Sequence, residues 1–100
     1  MPAAARKGDS LATGHGCSGT TTIASVQPSK TFINNILSSV KGDVSAVHTI
    51  PNPPACVPHT STIIGGSSSV FIESIAGARI GDAYEGGAVI SGSPNTFHGG

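Results

Sequence analysis

Thr62-Ile63-Ile64-Gly65-Gly66-Ser67-Ser68-Ser69-Val70-Phe71-Ile72 is the stretch that decides how this chain folds. A β-branched run, a turn-forming Gly/Ser segment and a second β-branched and aromatic run together make the composition signal of a β-hairpin. The same order occurs twice more. Thr21-Thr22-Ile23 precedes Val26-Gln27-Pro28-Ser29 and then Thr31-Phe32-Ile33, while Ala88-Val89-Ile90 precedes Gly92-Ser93-Pro94-Asn95 and then Thr96-Phe97-His98. All three phenylalanines of the protein fall at the same place in the pattern.

A second element keeps step with the first. Gly8-Asp9, Gly42-Asp43 and Gly81-Asp82 each follow or precede a hairpin, and Asp43 is as far from Asp82 as Phe32 is from Phe71. Each pair reads as a tight turn, Gly relieving the φ restriction and Asp closing it through a bond to the backbone beyond. Three equivalent copies assign these aspartates to turn geometry and not to catalysis.

Three short hairpins cannot each bury a face alone, so they are expected to pack around a common pseudo-three-fold axis. The expected fold is all-β, a small cone of three hairpin repeats forming one domain over residues 1–100. Its predicted core is Ile23, Phe32, Ile33, Ile63, Phe71, Ile72, Val89, Ile90 and Phe97. Little helix is expected, apart from one short turn over Asn35 to Val40. His98, after the third Phe, is expected to be exposed.

Composition narrows the function. The 100 residues hold five basic and five acidic side chains, with zero formal net charge and no cluster of Lys or Arg. That lacks the electrostatic footprint of a nucleic-acid or anionic-membrane binder. No apolar run approaches a membrane span, and Arg6 and Lys7 are not followed by the hydrophobic stretch of a signal peptide. Gly, Ser and Pro make up about a third of the chain, a share that would suggest disorder without the repeat. A core this small gains from a metal or disulfide staple.

The histidines and cysteines are concentrated where such a staple would form. Between each Gly-Asp and the next β-branched run lies a loop; the first holds His15 and Cys17, and the second holds His48, Cys56 and His59. The third, Ala83 to Gly87, has Tyr84 and Glu85 instead. Equivalent loops of units packed about one axis converge at one end, which would bring His15, His48, Cys56 and His59 to a single ion. Those four satisfy tetrahedral zinc, and Cys56-Val57-Pro58-His59 has a spacing compatible with two ligands from one turn. A Cys17–Cys56 disulfide is the rival staple. Iron would accept much of the same donor set.

With these residues in place the chain resembles the PAAR-repeat family. Pro2-Ala3-Ala4-Ala5-Arg6-Lys7-Gly8-Asp9 matches its signature with one extra Ala, Gly77-Ala78-Arg79-Ile80-Gly81-Asp82 matches it more loosely, and Ser38-Ser39-Val40-Lys41-Gly42-Asp43 is a diverged copy. Gly92-Ser93-Pro94-Asn95-Thr96-Phe97 and Gly66-Ser67-Ser68-Ser69-Val70-Phe71-Ile72 match its hairpins. The resemblance spans essentially the whole chain. It implies a non-enzymatic, cone-shaped tip with a structural zinc near its vertex. Such a tip sits one per trimer on a β-helical, membrane-piercing spike of a type VI secretion system or a contractile phage tail. Gly14-His15-Gly16-Cys17 looks like the phage form. The resemblance also implies no small-molecule substrate and contact with the target membrane only during piercing. Its location would be the virion tail tip, or outside the cell after delivery on a secretion spike. No effector domain is expected beyond the third repeat. Where many members have Cys or His in the third loop, this chain has Glu85-Gly86-Gly87, so Cys56, Cys17 or Glu85 would give the fourth bond.

Overall fold

A computed structural model describes residues 2–99; Met1 and Gly100, the ends of the expected domain, lie outside the described residues. It is all-β, with no helix among the described residues, and measures 43 × 23 × 22 Å. The strands are β1 (Ser10–Ala12), β2 (Thr20–Ser25), β3 (Phe32–Ile33), β4 (Ile36–Leu37), β5 (Val44–Ser45), β6 (His48–Asn52), β7 (Ala55–His59), β8 (Phe71–Ile72), β9 (Ile75–Ala76), β10 (Ala83–Tyr84) and β11 (Gly87–Ala88). β2 lies between β1 and β5; the others form antiparallel pairs, β3 with β4, β6 with β7, β8 with β9 and β10 with β11.

The expected pairing of each β-branched run with the Phe-bearing run after it does not form: β2 pairs with β1 and β5, Ile63 bridges Tyr84, and the hairpins lie downstream, each begun by a Phe. Phe32 pairs with Leu37 and Phe71 with Ala76, so the turns are Asn34-Asn35 and Glu73-Ser74. All four residues have positive φ, between 51° and 72°. Two left-handed residues in a two-residue loop match the twist of the flanking strands, and Asn tolerates that conformation. The helical turn expected over Asn35 to Val40 is therefore absent: Asn35 turns the chain, and Ile36–Leu37 is a strand. The third Phe-bearing segment forms no hairpin and pairs instead with the other end of the chain. Ala3 bridges Phe97, Ala4 N–H donates to Thr96 O at 2.9 Å, and His98 N–H donates to Pro2 O at 3.0 Å.

The Gly-Asp turns recur with the same bonds in each unit. Gly8, Gly42 and Gly81 have φ of 91°, 91° and 94°, a region only glycine enters freely. Asp9, Asp43 and Asp82 do bond to backbone, but backwards, accepting the N–H of Arg6, Val40 and Arg79 three residues earlier at 2.7 Å each. The Arg6 and Arg79 guanidiniums bind Asp9 and Asp82. The middle unit has Val40 at that position, and Gln27 and Ser39 bind Asp43 instead.

The units close on one another through their interiors. Ala5 N–H donates to Ala78 O (2.9 Å), Ala78 N–H to Ser39 O (3.0 Å) and Ser39 N–H to Ala5 O (3.1 Å). All three residues are fully buried. The hairpin turns add an outer interlock. Glu73 accepts from Ser29 N–H, Lys30 N–H and the Thr31 hydroxyl. Asn34 Oδ1 accepts from the Ser93 hydroxyl at 2.6 Å, and Gly99 O accepts from the Ser67 hydroxyl.

The core is smaller and more aliphatic than expected. Leu11, Ile23, Ile63, Tyr84 and Val89 cluster with Ala5 and Ala78. Ile33 and Ile72 are buried as expected. Phe32, Phe71, Phe97 and Ile90 are not: they are 58%, 61%, 49% and 48% exposed. In a two-residue strand adjacent positions face opposite ways, so burying Ile33 and Ile72 turns Phe32 and Phe71 outward. His98 occupies the position of Ile33 and Ile72 in the third unit and, against expectation, is buried; all three are 7% exposed. Its Nε2 has no hydrogen-bond partner among the described residues.

Two outcomes follow from these bonds. Asp43→Ala orphans donors on Val40, Ser39 and Gln27, and should cost about 3 kcal/mol in denaturant unfolding. For His98, burial, reinforced by the Arg79 charge, holds the ring below its ordinary 6.5. The unfolded chain then takes the proton first, so stability falls as pH drops below about 6.5. His98→Ile, copying the other two units, should raise stability by about 1 kcal/mol at neutral pH and shrink that acid loss in pH-dependent melting.

Candidate metal centre

Three loops meet at one place. The loop after β1 carries His15, the long hairpin β6–β7 carries His48 and His59, and the β10–β11 turn carries Glu85, whose φ is 49°. Residues 48 and 59 are direct cross-strand partners, which places both side chains on one face of the hairpin. The first and third loops approach backbone to backbone. Gly86 N–H donates to Thr13 O at 3.2 Å, and Gly14 has a φ of 76° with no room for a Cβ against the Gly86 carbonyl. That close approach brings His15 over Glu85.

One ligand atom from each of His15, His48, His59 and Glu85 lies within 4.8 Å of the others. The Nε2 atoms of His15 and His48 lie 3.2 and 2.9 Å from Glu85 Oε2, and His59 Nε2 contacts Oε1. Burial alone would push the Glu85 carboxyl up, but the hydrogen bonds of His59 and His48 and the charge of His59 and His15 outweigh it and hold the carboxyl below its ordinary 4.5. Buried Tyr84 lies beside His48 with the two rings tilted at 57°, and it donates to Ser45 Oγ at 2.6 Å. Burial raises its hydroxyl to about 12, so Tyr84 adds no charge.

The other ring nitrogens decide what this cluster can hold. His15 Nδ1 lies 2.9 Å from Gly16 O and His48 Nδ1 lies 3.1 Å from Ala46 O. A carbonyl oxygen only accepts, so both Nδ1 atoms carry the proton, and each neutral ring then presents a bare lone pair at Nε2. Those lone pairs face a carboxylate, which also only accepts. A cation between them resolves the conflict, either a proton on each ring or one metal ion shared by all. Backbone carbonyls that fix the Nδ1–H tautomer are the usual outer support of a metal-binding imidazole.

The expected ligand set changes in one member. His15, His48 and His59 come together as anticipated, whereas Cys56 is bonded to Cys17, so neither sulfur is a free thiolate. The rival staple is thus present alongside the cluster. Cys56-Val57-Pro58-His59 lies in strand β7 and not in a turn. Three residues along an extended strand put Cys56 and His59 on opposite faces, so His59 faces the cluster and Cys56 faces the first loop. Glu85, one of the two alternates named from sequence, occupies the fourth position. Its signal was its place at the tip of the third loop. The bridge closes a loop with a sequence separation of 39, a constraint worth about 4 kcal/mol in the chain-entropy model.

Chelator-free protein should hold about one transition-metal ion per chain by elemental analysis. Removing the ion should lower the melting temperature, as should His48→Ala; a chain that stays metal-free and melts unchanged would refute the site. No helix among the described residues is long and apolar enough to cross a membrane. Comparison with known proteins adds no relative: no protein-family model matches the chain and no curated protein matches it.

Proposed function

We propose that this chain is a PAAR-like, non-enzymatic tip that caps a trimeric β-helical spike of a contractile injection machine, a phage tail or a type VI secretion system. The observation that carries this reading is the equivalent exposure of Phe32, Phe71 and Phe97, one in each unit. Three aromatic rings turned to solvent on a chain of this size need a partner. A partner presenting three copies of one surface would suit three Phe-bearing units, which this reading takes to be arranged around a pseudo-three-fold axis. In this reading the phenylalanines form the broad base of a cone. The loops bearing His15, His48, His59 and Glu85 form its narrow end.

A structural metal supports the same role. A piercing tip has to stay folded under compression with little core, and structural zinc sites supply folding free energy on the order of 10 kcal/mol in small domains. Three imidazoles and a carboxylate complete a tetrahedral zinc shell, leaving no open position for a reacting water. Iron(II) also accepts this nitrogen and oxygen set. Glu85 acting as a base beside a three-histidine zinc would instead make a hydrolase; its contacts with all three histidines favour the ligand role. The tip would meet the target membrane only during piercing, on a virion or on a spike delivered from the cell, without nucleic acid or a small-molecule substrate. A free-standing metal-binding module is the alternative.

Mixing with a trimeric spike should give one copy per three spike chains by mass measurement. Phe32→Ser, Phe71→Ser and Phe97→Ser combined should abolish that complex while leaving the melting temperature within a few degrees, because the rings contribute little to the core. A one-to-one ratio, or full binding by the triple variant, would refute the docking reading.

A further inference from the structure

The Cys17–Cys56 bridge joins the same two segments that share the candidate metal site. Cys17 lies two residues after His15 in the first loop, and Cys56 lies three residues before His59 in β7. His48 and His59 are held by the register of β6 and β7, and Cys56 pairs with Pro51 in that same ladder. The hairpin therefore positions two ligands without help. His15 belongs to a separate segment, and the bridge is its covalent tie to the hairpin.

Besides the bridge, that loop is held at its ends, by long bonds of Thr13 Oγ1 to His15 N–H and O at 3.4 and 3.3 Å, and by the packing of Gly14 on Gly86. Thr13 Oγ1 donates to Ser18 O at 2.7 Å, Ser18 N–H donates to Thr49 O at 3.2 Å, and the Ser18 and Thr49 hydroxyls are 2.7 Å apart. Between these anchors run residues 14–17, and the His15 ring takes its Nδ1 partner from its own loop, at Gly16 O. Cys17 has a φ of 67°, a left-handed conformation that a non-glycine residue keeps only where its surroundings impose it. Both cysteines are exposed, so a reductant can reach the bridge, and exposed bridges are the ones open to exchange.

We propose that the bridge and the metal site are coupled: the oxidised bridge holds His15 in place for the ion, reduction weakens metal binding, and bound metal in turn protects the bridge from reduction. The proposal rests on the reading of His15, His48, His59 and Glu85 as a metal site. Reduction adds two electrons and two protons to the bridge and leaves two thiols, while two thiols of the reductant become its disulfide. The free thiols let Cys17 and residues 14–16 relax, and one of four ligands loses its fixed position. Linkage makes the effect reciprocal, the same factor appearing in metal affinity and in the reduction equilibrium. A reducing compartment would then favour a looser, metal-poor chain and an oxidising one the closed, loaded form.

Cobalt(II) is the probe, titrated by its visible absorption into the oxidised chain, the chain reduced with a trialkylphosphine, and the Cys17→Ser/Cys56→Ser variant. The phosphine takes oxygen from water and becomes its oxide, adding no thiol that binds metal. The dissociation constant should be about tenfold weaker in the serine variant than in the oxidised chain, within the usual range of coupling between sites. In the natural chain, zinc should shift the reduction midpoint by a similar factor toward more reductant, a measurement that does not depend on the variant folding. Equal cobalt affinity in the oxidised chain and the folded variant, or a midpoint that zinc leaves unmoved, would overturn the coupling while leaving the metal site standing. Tighter cobalt binding on reduction, with thiolate charge-transfer absorption, would overturn it too, since the sulfurs would then be acting as ligands. Cobalt bound by none of the three forms would overturn the metal site and the coupling together.

Discussion

Three backbone hydrogen bonds, from Ala5 to Ala78, from Ala78 to Ser39 and from Ser39 back to Ala5, join segments far apart in sequence into one closed ring. Each donor is fully buried, so an unmade bond would leave an amide with neither protein nor water, at a cost of about 1–3 kcal/mol. Ala, Ala and Ser are small enough to let the chains approach at this point. With the ring closed, each Gly-Asp turn beside it repeats the same bond from aspartate to the N–H three residues before. The loops and hairpins that leave those turns then have their directions set.

That arrangement explains how a chain with so little apolar bulk holds together. Few large side chains are buried, and the phenylalanines that would supply most hydrophobic area face solvent. In their place stand a backbone ring, buried aspartates, turn-to-loop hydrogen bonds between units, and a covalent bridge. This is the regime in which a small domain relies on staples more than on a core. The histidine cluster belongs to the same scheme, since its four side chains come from three loops and would gain their order from a shared cation.

The differences between expectation and structure have definite causes. Composition marks Pro28, Ser67 and Ser93 as turn residues, but these positions are buried, and the hairpins reverse instead at Asn34-Asn35 and Glu73-Ser74. Glu and Ser carry weak local signals for positive φ, so the second turn was not legible. The three-residue spacing from Cys56 to His59 means one thing in a turn and the opposite in a strand, and only strand pairing settles which applies. His98 reads as a polar residue near a terminus, yet the N-terminal segment pairs with it and places it where the other units have isoleucine.

The all-β class, the repeated Gly-Asp turns and the loops that hold His15, His48, His59 and Glu85 were readable from the chain alone, because repetition and turn chemistry are local and survive in one dimension. Packing in three dimensions sets which face of each two-residue strand is buried, brings Cys56 to Cys17 and not to the histidines, and puts Glu85 beside them. Those outcomes depend on contacts between segments up to 70 residues apart, and spacing along the chain does not encode which side of a strand meets which loop.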